Sequence, residues 1–318
     1  MIYRVEVIFL VFALFFGSVS ALINPPFMAS DETWHFFKAY DVSQGHLTPE
    51  KENIDVPKSF DNIIKLTLWN VTSAENYLIN KDYSQFNMEL NVNDTQVLEK
   101  NNAYSYMPLP YLGAALVIKM GQIFNGSPLV LMYFCRLINL LIYIIIVYYA
   151  IKIVPIGKYV FLLIVLMPMT LYTASSISAD SLNLALCFFT ICLFLKLAFN
   201  NDKIYKKDIL LIFIFLSGLS LSKQLYVLLG MLFFIIPKSK FENLRVRLGY
   251  FIFTLLPSGL ILVLWNHLFK NFDVITSSTT LSGSSHIVNF LSFFNMFLNT
   301  IVVFFDRYLI SFVGYFGG

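Results

Sequence analysis

Residues 109–124 read Leu-Pro-Tyr-Leu-Gly-Ala-Ala-Leu-Val-Ile-Lys-Met-Gly-Gln-Ile-Phe. Whether this stretch crosses a membrane sets the orientation of everything after it. As an α-helix, its 16 residues reach about 24 Å at about 1.5 Å each. A span needs about 20 mostly apolar residues, and this one carries Lys119 and Gln122. If it crosses, the clusters Lys203/Lys206/Lys207 and Lys238/Lys240/Arg245/Arg247 both fall outside, against the positive-inside preference. It is therefore read as an interfacial helix on the outer face. Both clusters, with Lys152 and Lys158, then lie inside.

The rest of the chain is mostly apolar. Of its 318 residues 58% are hydrophobic, 17% aromatic and only 13% charged, and mean hydropathy is +0.71. Soluble proteins carry about 25% charged residues, so a soluble enzyme, a nucleic-acid binder and a disordered protein are excluded. Expected spans are 5–23, 128–153, 159–176, 181–199, 208–222, 224–237, 248–269 and 287–305, about eight in an all-α integral membrane protein. This divides the chain into a first span (1–23), an outer loop (24–127), a six-helix core (128–269) and a second outer loop with a final apolar segment (270–318). On this topology the inner side holds eleven Lys/Arg against four acids and the outer side eleven against fifteen. The N-terminus is inside the cytoplasmic membrane, with a large first loop outside.

Ser18-Val19-Ser20-Ala21 resembles a signal-peptidase site, but Arg4 is offset by Glu6 and the apolar run is long, so an uncleaved anchor is the reading. Cys135, Cys187 and Cys192 lie in apolar runs and read as core residues without disulfide or zinc spacing. The stretch 24–107 shows no clear strand alternation and reads as short helices against the membrane, while the Ser/Thr run 276–285 reads as a connector. Asn70-Val71-Thr72, Asn93-Asp94-Thr95 and Asn125-Gly126-Ser127 are formal glycosylation triplets, of a kind that arises by chance.

Polar groups at span ends and inside spans are costly, and so they are informative. Eight residues after the first span comes Asp31-Glu32-x-x-His35. Ser30 is placed to cap a new helix that puts His35 on the face of Asp31 and Glu32. The acids either complement the helix dipole or supply a general base at headgroup depth. Asp180 falls in a short outer connection, as a helix cap or a site carboxylate. Arg136 lies eight residues into its span, about 12 Å below the outer end, where it needs a polar cavity or an anionic partner. Lys223 tips a hairpin with arms too short to cross fully, which argues against simple snorkelling. Two cations and several carboxylates at one outer depth suit a lipid phosphate. No metal set is assigned, although a divalent ion is left open.

The ordered set Pro25-Pro26, Asp31-Glu32-x-x-His35, Ser43-x-Gly45-x-Leu47, Tyr106-x-Pro108-x-Pro110-Tyr111, Arg136-x-x-Asn139, Met167-Pro168-Met169, Ser176-x-Ser178-x-Asp180, Lys223-Gln224-x-Tyr226 and Gly314-Tyr315 resembles domain-of-unknown-function family 2142, bacterial multi-pass membrane proteins. That family is similar to the GT-C glycosyltransferases, which use polyprenyl-phosphate-linked sugars on the outer face. The resemblance implies a GT-C-like fold with juxtamembrane helices in the first loop. It implies a catalytic base at Asp31 or Glu32 and a second catalytic carboxylate at Asp180, while His35, Tyr106, Arg136, Lys223 and Gln224 are expected against the substrate. Its implied partners are the bilayer, a polyprenyl-phosphate sugar and a glycan or lipid acceptor, with no nucleic acid. A flippase or a non-catalytic assembly subunit is the alternative. Family members continue beyond a Gly-Tyr motif, whereas this chain stops at Gly317-Gly318, so a truncated chain is expected.

Overall fold

The computed structural model describes residues 4–47, 53–60, 89–98, 101, 103, 106–200 and 204–268. The expected second outer loop, the span 287–305, Gly314-Tyr315 and the triplet at Asn70 lie outside these residues. In chain order the elements are α1 (Val5–Ile23), α2 (Glu32–Ser43), β1 (Ile54–Pro57), β2 (Thr95–Leu98), α3 (Leu112–Ile123), α4 (Pro128–Ile153), α5 (Lys158–Val165), α6 (Pro168–Ala174), α7 (Ala179–Phe199), α8 (Lys206–Ser220), a 3-10 helix (Gln224–Ile235) and α9 (Leu244–Leu268). The protein is an all-α membrane protein with little strand. Among the described residues four helices are long and apolar enough to cross a membrane: α1, α4, α7 and the Leu244–Ile261 part of α9.

The periodicity of α1 shows how the bundle is built. Val5, Phe9, Ala13, Gly17 and Ala21 recur every fourth residue and are the buried stripe, while Phe12, Phe15, Phe16 and Leu22 face outward. The stripe packs on α4, and at Gly17 an added Cβ would stand 2.6 Å from Leu140 Cδ1. Helix α4 touches α1, α3 and α7; α7 then meets α8, and α8 meets α9. Val147, Ala150 and Ile151 of α4 share a core with Phe161, Leu171, Ala185 and Cys192. Leu193, Ile212, Leu216 and Phe233 form a second core between α7, α8 and the 3-10 helix. The three cysteines are free thiols, Cys135 and Cys192 fully buried.

The structure departs from the sequence expectations in four places. The stretch 159–176 is not one helix. It breaks between α5 and α6, because Pro168 has no N–H to donate and forces Met167 into an extended conformation (φ −56°, ψ 139°). The second arm of the hairpin at Lys223 is a 12-residue 3-10 helix, far longer than such helices usually run. The first loop also contains strand, not helices alone. β1 and β2 pair antiparallel with Ile54 opposite Leu98 and Val56 opposite Gln96, and Lys58 and Asp94 form an exposed ion pair at 2.5 Å beside them. Four residues give too few alternations to register as strand.

The fourth departure concerns α3, which runs back along α4 as the other arm of a helical hairpin. An added Cβ at Gly121 would lie 2.3 Å from Leu131 Cδ2, and one at Gly113 would lie 2.7 Å from Ile142 Cδ1. Descending α3 therefore climbs α4, and its small residues let the two backbones approach. Gly121→Val gains only a few tenths of a kcal/mol of helix propensity and loses about 1–3 kcal/mol to overpacking. Its melting temperature in detergent should fall. An unchanged value would mean that α3 does not pack on α4 there.

Candidate functional site

Asn24-Pro25-Pro26 stops α1, and the chain turns back through two left-handed residues, Phe27 (φ 59°) and Asp31 (φ 56°). Phe is a costly residue in that region, whereas Asp tolerates it. Asp31, not Ser30, is therefore the residue that opens α2, and it makes no side-chain cap bond. Among the described residues Ser30 Oγ reaches Asp31 Oδ2, at 3.5 Å. This turn sends two adjacent carboxylates in different directions. Asp31 is exposed, and Glu32 is 0% exposed.

Glu32 faces Arg136, which is also 0% exposed. Arg136 Nε donates to Glu32 Oε1 at 2.8 Å, and Nη2 donates to Oε2 at 2.6 Å. The remaining guanidinium hydrogens go to main-chain carbonyls: Nη1 to Ala21 (2.9 Å) and Asn24 (2.6 Å), Nη2 to Pro25 (2.9 Å). A guanidinium has five N–H donors, and all five are used. Glu32 Oε1 also accepts the Ile177 N–H at 3.1 Å. The pair thus ties the end of α1, the start of α2, α4 and the α6–α7 connection into one knot. Arg136 has the anionic partner its position demanded, but that partner is Glu32, and no donor is left for a phosphate. Glu32, with its carboxylate bonded and sealed from solvent, is not placed to take a proton from a ligand.

The same knot corrects the depth of Arg136. Its carbonyl partners belong to the last turn of α1 and the turn after it, and one turn further along α4 Asn139 Nδ2 donates to Ser176 O at 2.9 Å. The end of α1, the α6–α7 connection and Arg136 therefore share one level. The first two turns of α4 project past that level alongside α3, so counting residues from Pro128 overstates how deep Arg136 sits.

The remaining site residues gather at this level. Ser178 Oγ accepts the Asp180 N–H at 3.1 Å, so Ser178 is the cap of α7 and leaves Asp180 for another role. Asp180 Oδ1 meets Lys223 Nζ at 2.5 Å, with side chains 39% and 33% exposed. That ion pair is open where Glu32–Arg136 is closed. His35 Nδ1 and the Tyr111 hydroxyl are 2.6 Å apart. Tyr106 meets His35 edge-on with centroids 5.2 Å apart. Gln224 starts the 3-10 helix, and only its backbone is described. Among the described residues no group of three His, Cys, Asp or Glu is positioned to hold a metal ion.

Burial lowers the His35 pKa; Asp180 and Asp31 oppose it by attracting the proton, Lys223 adds to the lowering, and Glu32 opposes it least. Burial likewise raises the Tyr111 phenol well above its usual value. His35 is thus neutral near pH 7. Its unfolded value is about 6.5, so its contribution to stability is complete above that pH and declines as pH falls toward the lower folded value. Between about pH 7.5 and about pH 5.5 the wild type should lose more thermal stability than His35→Gln. Parallel losses would mean that His35 is not buried as a neutral ring.

Residues from four separate stretches of the sequence, Asp31 with His35, Tyr106, Asp180 and Lys223, come together here. Tyr111 and Tyr226 join them. Tyr226 is close enough to Asp180 and Lys223 for their charges to bear on its phenol. The signal for Tyr111 was the spacing Tyr106-x-Pro108-x-Pro110-Tyr111, whose prolines shape the short 3-10 turn Leu109–Tyr111 that delivers the ring. The carbonyls of Ala21, Asn24 and Pro25 had no side-chain signal.

A family model described as "Predicted membrane protein (DUF2142)" matches residues 14–317. No curated protein and no solved structure matches the chain.

Proposed function

Taking as premise that the chain belongs to the DUF2142 family of predicted membrane proteins, we propose that it is a GT-C-like membrane glycosyltransferase. It moves a sugar from a polyprenyl-phosphate-linked donor to a cell-envelope glycan or lipid acceptor at the outer face of the cytoplasmic membrane. The observation that carries this reading is the convergence of an exposed carboxylate (Asp31), an open Lys223–Asp180 pair and the His35–Tyr106–Tyr111 ring cluster at one end of an apolar bundle. The opposite end of α7, 16 residues or about 24 Å away, holds Lys196 beside Asp208 at 3.7 Å, with Lys240 donating to Leu197 O at 2.6 Å. The basic loops thus collect at the far end, in line with a site facing outward.

In this mechanism the acceptor hydroxyl attacks the anomeric carbon, Asp31 takes its proton, and the bond from that carbon to the phosphate oxygen breaks. The polyprenyl phosphate leaves with the electron pair, its charge met by Lys223. Asp180 holds Lys223 in place until the phosphate arrives. Arg136 and Glu32 keep the frame and take no part in the transfer.

Purified protein in proteoliposomes, given labelled polyprenyl-phosphate sugars and envelope acceptors, should form glycosylated product. The break between α5 and α6 is the observation that favours a second reading, a flippase for the lipid-linked glycan, since transporters use interrupted helices. Movement of the donor between leaflets without product would select it. Lys223→Met is expected to weaken donor-lipid binding about tenfold while leaving the fold intact. Orientation follows from thiol labelling in intact cells: a cysteine at Asn93 should react with an impermeant reagent, and one at Ser239 should not.

A further inference from the structure

His35 and Tyr111 are joined by one short hydrogen bond whose polarity is set by burial. Tyr111 is 1% exposed, and His35 Nδ1 at 2.6 Å is the acceptor its hydroxyl reaches among the described residues. If Nδ1–H donated instead, the phenolic proton would be buried without a partner, a loss of the kind that native interiors avoid. The phenol therefore donates, Nδ1 accepts, and the ring proton resides on Nε2. Rotation of the imidazole is restrained by Tyr111, stacked at 5.7 Å and 25°, and by Tyr106, edge-on at 5.2 Å and 72°. No described residue accepts from Nε2.

The charged and titratable groups bearing on His35 are Asp180, Asp31, Glu32 and Lys223, with Tyr106 and Tyr111 against its faces. Glu32 is neutralised by Arg136. What remains is two carboxylates and one ammonium with exposed side chains, and beside them the buried His35 ring, whose N–H has no acceptor among the described residues. Carboxylates accept hydroxyl protons, a neutral imidazole N–H donates to hydroxyl oxygens, and aromatic rings pack against C–H faces. That combination fits a polyhydroxylated ring better than a second anion, which the two carboxylates would repel.

We infer that Tyr111 is a positioning residue that fixes His35 as the Nε2–H tautomer, so that His35 presents a directed donor to a sugar hydroxyl held near Asp31 and Asp180. The ligand class rests on the glycosyl-transfer reading; the tautomer lock does not. The lock makes the subsite read the sugar, while Lys223 reads the phosphate.

The test has two arms on the full-length protein. Nitrogen-15 spectra of histidine-labelled protein, with His35 assigned among the four histidines by loss of its signal in His35→Gln, should show the Nε2–H tautomer at neutral pH. Tyr111→Phe should shift His35 to a mixture. An Nδ1–H tautomer in the wild type, or an unaltered tautomer in Tyr111→Phe, overturns the lock. In the second arm, binding of bare polyprenyl phosphate is compared with a panel of polyprenyl-phosphate hexoses and pentoses. The wild type should prefer one sugar-bearing lipid, and both His35→Gln and Tyr111→Phe should weaken that preference about tenfold without changing affinity for the bare lipid. A wild-type preference retained in both variants overturns the subsite and leaves glycosyl transfer standing. No preference in the wild type overturns the subsite together with the transfer reading. Equal weakening of both lipids would place His35 at the phosphate and also overturn it.

Discussion

Arg136→Met is expected to lower the unfolding free energy by about 3–5 kcal/mol, the range for breaking a buried ion pair from one side. The substitution strands the Glu32 carboxylate where no water reaches it and removes the donor from the carbonyls of Ala21, Asn24 and Pro25. Arg136→Lys should recover little, since an ammonium has three donors and no planar fork for a bidentate carboxylate. The double variant Glu32→Leu/Arg136→Met should be more stable than Arg136→Met alone, because an apolar pair leaves no stranded charge. It should remain below the wild type, because three carbonyls stay unpaired. Melting temperature and monodispersity in detergent measure this. An Arg136→Met protein with wild-type stability and lost donor-lipid affinity would return the arginine to the phosphate.

Asp31→Asn is expected to reduce sugar transfer by about 10²–10⁴-fold, the usual worth of a positioned general base, with little change in stability. Asn keeps the shape, tolerates the left-handed backbone at this position and loses only the ability to take a proton. Its neighbour should behave in the opposite way: Glu32→Gln weakens the knot around Arg136 and should lower the melting temperature first. Two adjacent carboxylates with opposite phenotypes are a strong check on the geometry. Wild-type turnover in Asp31→Asn would remove Asp31 as the base, and wild-type turnover in Asp180→Asn as well would end the carboxylate mechanism.

Much of the architecture is legible in the order of apolar and polar residues. The stretches 5–23 and 128–153 form helices with those limits, since each is a long apolar run ended by Asn-Pro-Pro or opened by Ser-Pro. The cluster of Asp31, His35, Asp180 and Lys223 was readable because charge is rare in this chain and each one near a span end asks for a reason. What the sequence could not reveal was how the groups pair. Arg136 reads from its position as a partner for a lipid phosphate, and its pairing with Glu32 instead follows from a turn through two left-handed residues, Phe27 and Asp31. Its remaining partners are main-chain carbonyls, which every residue carries and no composition distinguishes. The break at Pro168 and the small residues of α3 were visible as residues. Their consequences depended on which neighbour they would meet.

The 3-10 helix after Lys223 changes what a residue count means. Wound at about 2.0 Å per residue, its 12 residues extend about 24 Å, a distance for which an α-helix needs about 16 residues. A short apolar segment therefore acts as a longer strut without a longer sequence. The hairpin arm that looked too brief to bring Lys223 far from the basic end has a length close to the roughly 30 Å hydrocarbon thickness of a bilayer. Thinner winding, with side chains stacked in three rows, substitutes for residues.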